Sequence, residues 1–291
     1  MSEQGIVKTL VAGLIVAIVG SSIHIFQKEI KQCIGLELGF CPLTNEISYD
    51  GGNRYKGETL NGKPQGKGVF TTTKGDRYEG EFKNGTYEGK GIYTYANGNR
   101  HEVEWQNGKA NGKGVYIYPN GDRYEGEWKD GSYIKGVYIW KNGGRYEGDW
   151  SDGKFNGKGT LTYADGSRYV GDFRDDGING MGSMTYPKDH KIQSYDGEWK
   201  NGKYNGLGKI IWSNGERYDG EWRDNKYNGQ GVYTWADGDR FEGYWRDGKR
   251  NGFGVSINSD GDRKIQRWDN GQLVTSPSPS PSPSPSFSLS P

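Results

Sequence analysis

The chain has 291 residues, with 38 lysines and arginines against 37 aspartates and glutamates, so its formal net charge is only +1. This balance excludes sustained electrostatic attraction to nucleic acid, which needs a basic surface. Hydrophobic residues make up 31% of the chain, whereas glycine occurs 50 times, tyrosine 21 times and tryptophan 10 times. The composition therefore excludes a thick aliphatic core and favours a thin core of aromatic rings.

An apolar segment lies near the amino terminus, at residues 10–26. Together with the residues around it, the segment comes close to the roughly 20 residues that span a bilayer as a helix. We predict a transmembrane helix over 6–27 that anchors the chain in a membrane. Two alternatives stay open: a signal peptide cleaved near the small residues at 19–21, and a buried or interfacial helix.

A connector with two cysteines follows at residues 28–46. Lys28 and Lys31 come directly after the apolar segment and one lysine precedes it. This bias predicts a single-pass membrane protein with its repeats on the cytoplasmic side. Cys33 and Cys41 would stay reduced there, and would form a disulfide loop on the other side of the membrane. With no histidine nearby, they do not predict a zinc site.

Residues 47–274 repeat one pattern nine times, followed by a partial tenth copy that begins at Lys264. The first aromatic position of each copy recurs every 22 to 26 residues, at Tyr55, Tyr78, His101, Tyr124, Tyr146, Tyr169, Tyr195, Tyr218 and Phe241. A fixed period of this length predicts a repeat architecture, in which each copy is one small structural unit. Polar residues in the partial copy, Lys264 and Gln266, are expected to cap the last open edge.

Each copy reads Y-x-G-x-W-x-x-G-K-x-x-G-x-G, followed by a β-rich run and an Asn-Gly or Asp-Gly pair. Tyr, Gly and Trp at alternate positions lie on one face of a strand, and the glutamates between them lie on the other face. Asn-Gly and Asp-Gly favour tight hairpin turns. The pattern predicts an all-β protein, an elongated and twisted antiparallel meander of stacked β-hairpin repeats preceded by the transmembrane helix.

The alternating aromatic and glycine positions predict the structural core of the repeats. We expect the glycines to leave room for the ring of a neighbouring copy to lie across the backbone. The core residues predicted in this way are Tyr78, Gly80, Phe82, Tyr124, Gly126, Trp128, Tyr146, Gly148, Trp150, Tyr195, Gly197, Trp199, Tyr218, Gly220 and Trp222.

One position differs between the early and the late copies, namely the residue between the two late glycines, which we call the G-x-G position. It holds lysine in most early copies and larger apolar residues later. We predict that this line of residues faces a lipid surface or a partner: Lys67, Lys90, Lys113, Lys135, Lys158, Met181, Leu207 and Phe253. The alternative is that the lysines only keep exposed hairpins soluble.

Three copies depart from the pattern. Copy three has His101 and Val103 in place of Tyr and Gly, and His101 is expected to pack as a substitute ring. Copy four is one residue shorter, and copy six carries three extra residues within 187–194. These departures mark either bends and partner sites or tolerated drift in loops.

The repeats offer rows of like groups, whereas an enzyme needs unlike groups that converge. The three histidines, His24, His101 and His190, do not have the spacing of metal ligands. We therefore predict no catalytic residue, no cofactor site, no metal site and no enzymatic activity. The carboxyl-terminal residues 275–291 are a Ser-Pro repeat, for which we predict a disordered tail.

The repeat pattern resembles the MORN family (membrane occupation and recognition nexus repeats). The resemblance rests on Y-E-G-E-W at 124–128, Y-E-G-D-W at 146–150, and Y-D-G-E-W at 195–199 and 218–222, each followed by the glycine-rich turn. It implies stacked β-hairpins that serve as scaffolds, membrane tethers or docking surfaces.

These observations predict a membrane-anchored, non-enzymatic scaffold whose repeats dock an unidentified protein or lie against the bilayer. Anionic lipids and a second copy of the chain stay open as further partners, and nucleic acid is not expected. The alternative is a secreted or surface-exposed glycan-binding module, which would carry its rings on the outside. The face that the rings occupy distinguishes the two.

Overall fold

The structure is a computed structural model of the chain, and it describes residues 9–11, 14–16 and 44–274. Every secondary-structure element that these residues form is a β-strand. Within them, no helix has the length and apolar character needed to cross a membrane. Each copy of about 23 residues supplies two strands and the tight turns that join them, so the strands are short.

The strands are numbered in chain order. Their bounds are β1 Thr9–Val11, β2 Leu14–Val16, β3 Thr44–Ser48, β4 Arg54–Leu60, β5 Lys63–Thr71, β6 Arg77–Lys83, β7 Thr86–Thr94, β8 Arg100–Gln106, β9 Lys109–Ile117, β10 Arg123–Lys129, β11 Ser132–Ile139, β12 Arg145–Ser151, β13 Lys154–Thr162, β14 Arg168–Arg174, β15 Gly177–Thr185, β16 Ile192–Lys200, β17 Lys203–Trp212, β18 Arg217–Arg223, β19 Lys226–Thr234, β20 Arg240–Arg246, β21 Lys249–Ile257, β22 Arg263–Asp269 and β23 Gln272–Leu273.

The described repeats form two compact units, one of residues 44–121 and 127–131 and one of residues 122–126 and 132–274. In the first unit, each strand from β3 to β8 pairs antiparallel with the next strand in the chain. In the second unit, each strand from β11 to β22 does the same. The predicted all-β antiparallel meander of hairpins is thus confirmed.

The transmembrane helix predicted over 6–27 is not supported. The six described residues of this segment form the strands β1 and β2, which pair antiparallel with Thr9 opposite Val16. Threonine, valine and isoleucine have branched Cβ atoms that favour strands over helices. The rest of 6–27, both cysteines of the connector and the Ser-Pro tail at 275–291 lie outside the described residues.

The repeat array begins earlier than the boundary at residue 47 that the sequence suggests. Strand β3 starts at Thr44, inside the predicted connector, and pairs with β4 so that Ile47 lies opposite Tyr55. The first tyrosine-bearing strand therefore has a hydrogen-bonded neighbour on both sides, as do the equivalent strands of later copies.

The tyrosine that opens each copy is the centre of its core. Seven of these tyrosines and Phe241 have no exposed surface. The ring of Tyr78 lies flat on the next strand's Tyr87, with 3.8 Å between the ring centroids. Tyr146 and Phe155 also stack at 3.8 Å, and Tyr218 and Tyr227 at 4.0 Å. Stacked and edge-on rings of this kind add to the free energy gained from burial alone.

The glycines of the pattern make room for the tyrosine of their own copy, so the expectation of a neighbouring copy's ring was wrong. A methyl group added to Gly80 or Gly91 would overlap the phenol of Tyr78. The two glycines lie opposite each other on adjacent strands, and the ring crosses both. Its hydroxyl then donates a hydrogen bond to the carbonyl of Glu81 at 3.0 Å, which is possible only because the ring lies along its own strand.

Contact between successive copies comes instead from the Trp or Phe of the pattern. Trp222 meets Tyr195 of the preceding copy edge-on, with 5.5 Å between ring centroids, and Trp245 meets Tyr218 at 5.6 Å. Trp222 also donates its indole hydrogen bond to the carbonyl of Gly208 at 2.8 Å. A copy therefore completes its core only with the copy that follows it, which explains why the units occur as an array.

Copy three fills the same space with different residues. His101 has 5% of its surface exposed and packs against Trp105, Tyr116 and Trp128. The side chain of Val103 occupies the space that a tyrosine would need over Gly114. Burial lowers the pKa of His101 to about 4, so its ring is neutral near pH 7. His101 is thus a packed ring, as expected from the pattern.

Candidate functional site

The face of the sheet opposite the rings carries the charged residues of the pattern. On this face, the arginine that begins a strand forms an ion pair with the glutamate two residues later in the same strand. The Arg–Glu distances are 2.6 Å for Arg77–Glu79 and 2.6 Å for Arg145–Glu147. These side chains are about half exposed, so each pair contributes roughly 0–1 kcal/mol to stability. Ion pairs of this kind are typical of a solvated surface.

Within each unit, a second line of side chains crosses the middle of this face, and we call these residues the central row. It consists of the G-x-G residues and of the residues that lie opposite them on the following strands. In the early copies these opposite residues are acidic. The register places Lys67 opposite Glu81, Lys90 opposite Glu104, Lys135 opposite Asp149 and Lys158 opposite Asp172.

Lysines in the early central row therefore lie opposite carboxylates, and one of them forms an ion pair. The ammonium of Lys158 lies 2.6 Å from a carboxylate oxygen of Asp172. The backbone N–H of Lys158 also donates to Asp149 on the preceding strand, at 3.3 Å. The lysines are exposed, as the sequence predicts, but they alternate with carboxylates and do not form a continuous basic line.

The bond between carboxylate and backbone recurs in the late copies. Met181 donates its N–H to Asp172 at 2.9 Å, Leu207 to Glu198 at 3.2 Å, and Gln230 to Glu221 at 2.8 Å. The first glycine of each G-x-G makes this possible, because its positive φ opens the strand into a bulge and turns the next N–H outward. The φ of Gly206, for example, is 57°. The carboxylates are thus fixed in place by the fold.

The late central row lacks the lysines. Met181 lies opposite Glu198, and Leu207 lies opposite Glu221. Met181 is 53% exposed and Leu207 is 63% exposed. Within residues 44–274, no lysine or arginine lies at ion-pair distance from Glu198 or Glu221. Lys200 and Arg223 lie on the same face, each two residues further along the strand, and Arg223 pairs with Asp247 at 3.6 Å.

The last copy widens the apolar surface into a groove of about 530 Å³, which includes Gln230, Val232, Tyr244, Phe253, Val255 and Ile265 in its lining. Phe253 is 63% exposed and Ile265 is 78% exposed. The amide of Gln230 donates to the hydroxyl of Tyr244 at 2.8 Å. The guanidinium of Arg267 lies 5.7 Å from the centre of the Phe253 ring, so a cation returns at this end of the row.

Sequence reasoning found the G-x-G residues and missed their partners. Glu198 and Glu221 looked like ordinary members of the glutamate row, and only the register shows that they lie opposite Met181 and Leu207. Tyr244 carried a signal in the sequence, because every earlier copy has Glu or Asp at its position. The exposed apolar surface near the late row therefore includes Tyr244 and Ile265 in addition to the predicted Met181, Leu207 and Phe253.

The two-stranded copies, with rings on one face and charges on the other, define an all-β hairpin-repeat protein. The family profile of the MORN repeat matches ten segments of the chain, at 55–77, 78–100, 104–123, 124–132, 135–145, 146–168, 169–191, 195–217, 218–240 and 241–263. The chain belongs to the MORN repeat family, as predicted. Two of the ten segments, 124–132 and 135–145, fall within the shortened fourth copy.

Solved structures with some likeness are distant. The TCP10 domain of CPAP from Danio rerio is 13% identical, with 79% of this chain and 98% of that chain covered and a TM-score of 0.27. The SAS-4 TCP domain of Drosophila melanogaster, solved in complex with a proline-rich motif of Ana2, is 13% identical, with 77% and 87% covered and a TM-score of 0.23. A virginiamycin B lyase from Staphylococcus aureus is 12% identical, with 78% and 70% covered and a TM-score of 0.15.

At these TM-scores the likenesses carry no argument about this chain. No curated protein matches its sequence.

Proposed function

We propose that this chain is a non-enzymatic scaffold whose repeats dock a protein partner on the face opposite the rings, along the late central row. The observation that carries the proposal is the exposure of Met181, Leu207 and Phe253, each more than half exposed, at a position that holds lysine in the early copies. Phe253 also belongs to a continuous exposed apolar surface with Tyr244 and Ile265, and continuous surfaces of this kind mark interaction sites in soluble proteins.

The fold itself does not need these apolar side chains. The same hairpin forms with Lys90 at this position in copy two and with Leu207 in copy seven, and both residues are exposed. Covering a leucine or phenylalanine side chain with a partner would contribute about 1.5–3 kcal/mol to binding. Docking is the function that gives such residues an energetic role.

A protein partner is favoured over an anionic lipid surface. A lysine beside an anionic membrane contributes about 1 kcal/mol to binding. In the early central row, however, carboxylates lie next to the lysines, as Asp172 lies beside Lys158 at 2.6 Å. Repulsion between these carboxylates and the headgroups would offset much of the attraction.

A non-enzymatic role is supported by the way the polar groups are used. The central-row carboxylates recur at one position of successive copies and bind backbone N–H groups, as Glu198 and Glu221 do. The glycan-binding alternative requires rings on the outside, whereas the tyrosines that open the copies are fully buried. Attachment to a membrane through residues 6–27 stays a prediction from the apolar sequence, and fractionation of the full chain with protease protection would test it.

Native capture with matched variants of the full chain tests the proposal. The docking variant carries Met181→Lys, Leu207→Lys and Phe253→Lys. The control carries the same three added charges at exposed apolar residues outside the late row, as Leu60→Lys, Ile117→Lys and Ile134→Lys. We expect proteins that co-purify with the wild type and the control to be lost from the docking variant, at equal thermal stability. If all three chains retain the same proteins, or none retains any, the proposal is wrong.

A further inference from the structure

We propose that the late central row binds a cationic amphipathic helix, with apolar side chains two helical turns apart and lysine or arginine between them. This inference rests on the proposed docking function and specifies the chemistry of the partner. The surface consists of Met181, Glu198, Leu207, Glu221 and Gln230, with Phe253 beyond them. Three observations carry it: the spacing of the apolar side chains, the unpaired carboxylates between them, and the rigidity of those carboxylates.

The spacing of the apolar side chains fits a helix. Met181 is on β15 and Leu207 is on β17, so two strand spacings, or about 10 Å, separate them along the row. Two turns of an α-helix rise about 11 Å. A helix that crosses the strands with an apolar residue at every seventh position would therefore place successive residues on Met181 and Leu207.

Carboxylates alternate with these apolar side chains. Glu198 on β16 lies between Met181 and Leu207, and Glu221 on β18 follows Leu207, each one strand, or about 5 Å, further along the row. One helical turn rises about 5 Å, so each carboxylate would meet a partner residue three or four positions after an apolar one. Neither carboxylate has a cation at ion-pair distance, although Lys200 and Arg223 lie beside the row, so a basic partner residue would complement both.

The carboxylates are held ready for such a partner. Glu198 accepts the N–H of Leu207 at 3.2 Å, and Glu221 accepts the N–H of Gln230 at 2.8 Å, each through one oxygen. A methyl group added to Gly206 would overlap the carboxylate of Glu198, and one added to Gly229 would overlap that of Glu221. Each carboxylate therefore lies close against the backbone. A fixed carboxylate loses little side-chain entropy when a cation binds its second oxygen.

The extent of the row limits the length of the helix. Four strand spacings from Met181 to Gln230 amount to about 19 Å, or roughly 13 helical residues. Adjacent strands rotate by about 20–25°, so a straight helix cannot follow the row much further. Beyond Gln230, Arg267 restores a cation beside Phe253, which ends the stretch that favours a basic partner.

The test is fluorescence anisotropy of the full chain with a labelled synthetic helix of about two heptads, built from alanine, with leucine at every seventh position and lysine one turn after each leucine. Three further probes distinguish other occupants: the same composition with scrambled positions, the same peptide with glutamate for lysine, and a peptide of residues 275–291. We expect the basic heptad peptide to bind, to gain helicity in circular dichroism, and to weaken as salt is raised.

The decisive variant is Glu198→Gln with Glu221→Gln, which keeps the shape and removes both charges. We expect it to weaken binding of the basic peptide about tenfold, which corresponds to about 0.7 kcal/mol for each lost pair. The control is Glu79→Gln with Glu102→Gln, two exposed glutamates outside the central row, and it should bind like the wild type.

Each other outcome overturns the inference. Equal binding of the scrambled peptide would contradict the seven-residue spacing of the partner's apolar side chains. Preferred binding of the acidic peptide would contradict recognition of basic residues by Glu198 and Glu221. Preferred binding of the 275–291 peptide would identify the tail as the occupant, and concentration-dependent dimers blocked by Leu207→Lys would identify a second copy. If no peptide binds while native capture still depends on Met181, Leu207 and Phe253, the docking function stands and the helical partner is wrong.

Discussion

The early and late copies have the same backbone pattern and the same kind of buried ring core, and they differ on the opposite face. Copy five presents Lys158 in an ion pair with Asp172, whereas copy seven presents Leu207 opposite an unpaired Glu221. Both copies bury their tyrosines completely, at Tyr146 and Tyr195. The rings stabilise the fold, and the residue at the G-x-G position can therefore differ between copies. The four predictions below test this separation, from the largest effect to the smallest.

Tyr218→Ala should lower the free energy of unfolding by about 3–5 kcal/mol, because it removes a fully buried ring and leaves a cavity against Tyr227 and Trp245. Leu207→Ala, on the opposite face and on the adjacent strand, should change it by no more than about 0.5 kcal/mol. Urea unfolding followed by tryptophan fluorescence measures both. Comparable losses for the two variants would show that the two faces are not energetically separate.

Acid should destabilise copy three more than its neighbours. The pKa of His101 is about 4 in the folded chain and 6.5 when exposed. Below pH 6.5 the unfolded chain therefore binds the extra proton, and stability is lost as the pH falls from 6.5 towards 4, by up to about 3 kcal/mol. Urea unfolding across this range measures the loss.

The matched control for that loss is the double variant His101→Tyr with Val103→Gly, which restores the pattern of the other copies. It should keep the stability of the array near pH 7 and lose this component of the pH dependence. His101→Tyr alone should cost about 1–3 kcal/mol, since its ring would overlap Val103. A double variant that retains the full pH dependence would assign the titration to other groups.

Leu207→Lys converts the late row towards the early type, because it places an ammonium beside Glu221 as Lys158 lies beside Asp172. We expect the basic heptad peptide to bind at least tenfold more weakly, or by about 1.4 kcal/mol, because an apolar residue and a free carboxylate are lost together. Thermal unfolding should not change measurably. Wild-type affinity in this variant would contradict the role of the late row.

Lys158→Met makes the converse change in an early copy and should have the smallest effect. In the ion pair, Lys158 is 74% exposed and Asp172 is 30% exposed, so its loss should cost about 1 kcal/mol, measured by urea unfolding. The cost should shrink further in high salt. A loss of several kcal/mol would mean that the early row is a structural element and that its lysines are not free to vary.

The cap at the end of the array illustrates what the sequence could not show. Lys264 and Gln266 were expected to blunt the open edge, and Gln266 does accept a hydrogen bond from Ser256 at 2.5 Å. The last ring, however, is covered by Arg250, whose guanidinium lies 3.8 Å from the centre of Trp268. The arginine belongs to the preceding strand, so only the folded chain brings it to the end of the core.

The sequence by itself determined the period, the two strands of each copy, the separation of rings from charges and the family. These follow from local chemistry, since side chains alternate along a strand and the turn residues recur at fixed places. The tertiary structure alone decided that Tyr78 lies on the glycines of its own copy and that Leu207 lies opposite Glu221. Those relations depend on the register and on the bulge at each G-x-G, and a slip of one residue would reverse every facing pair.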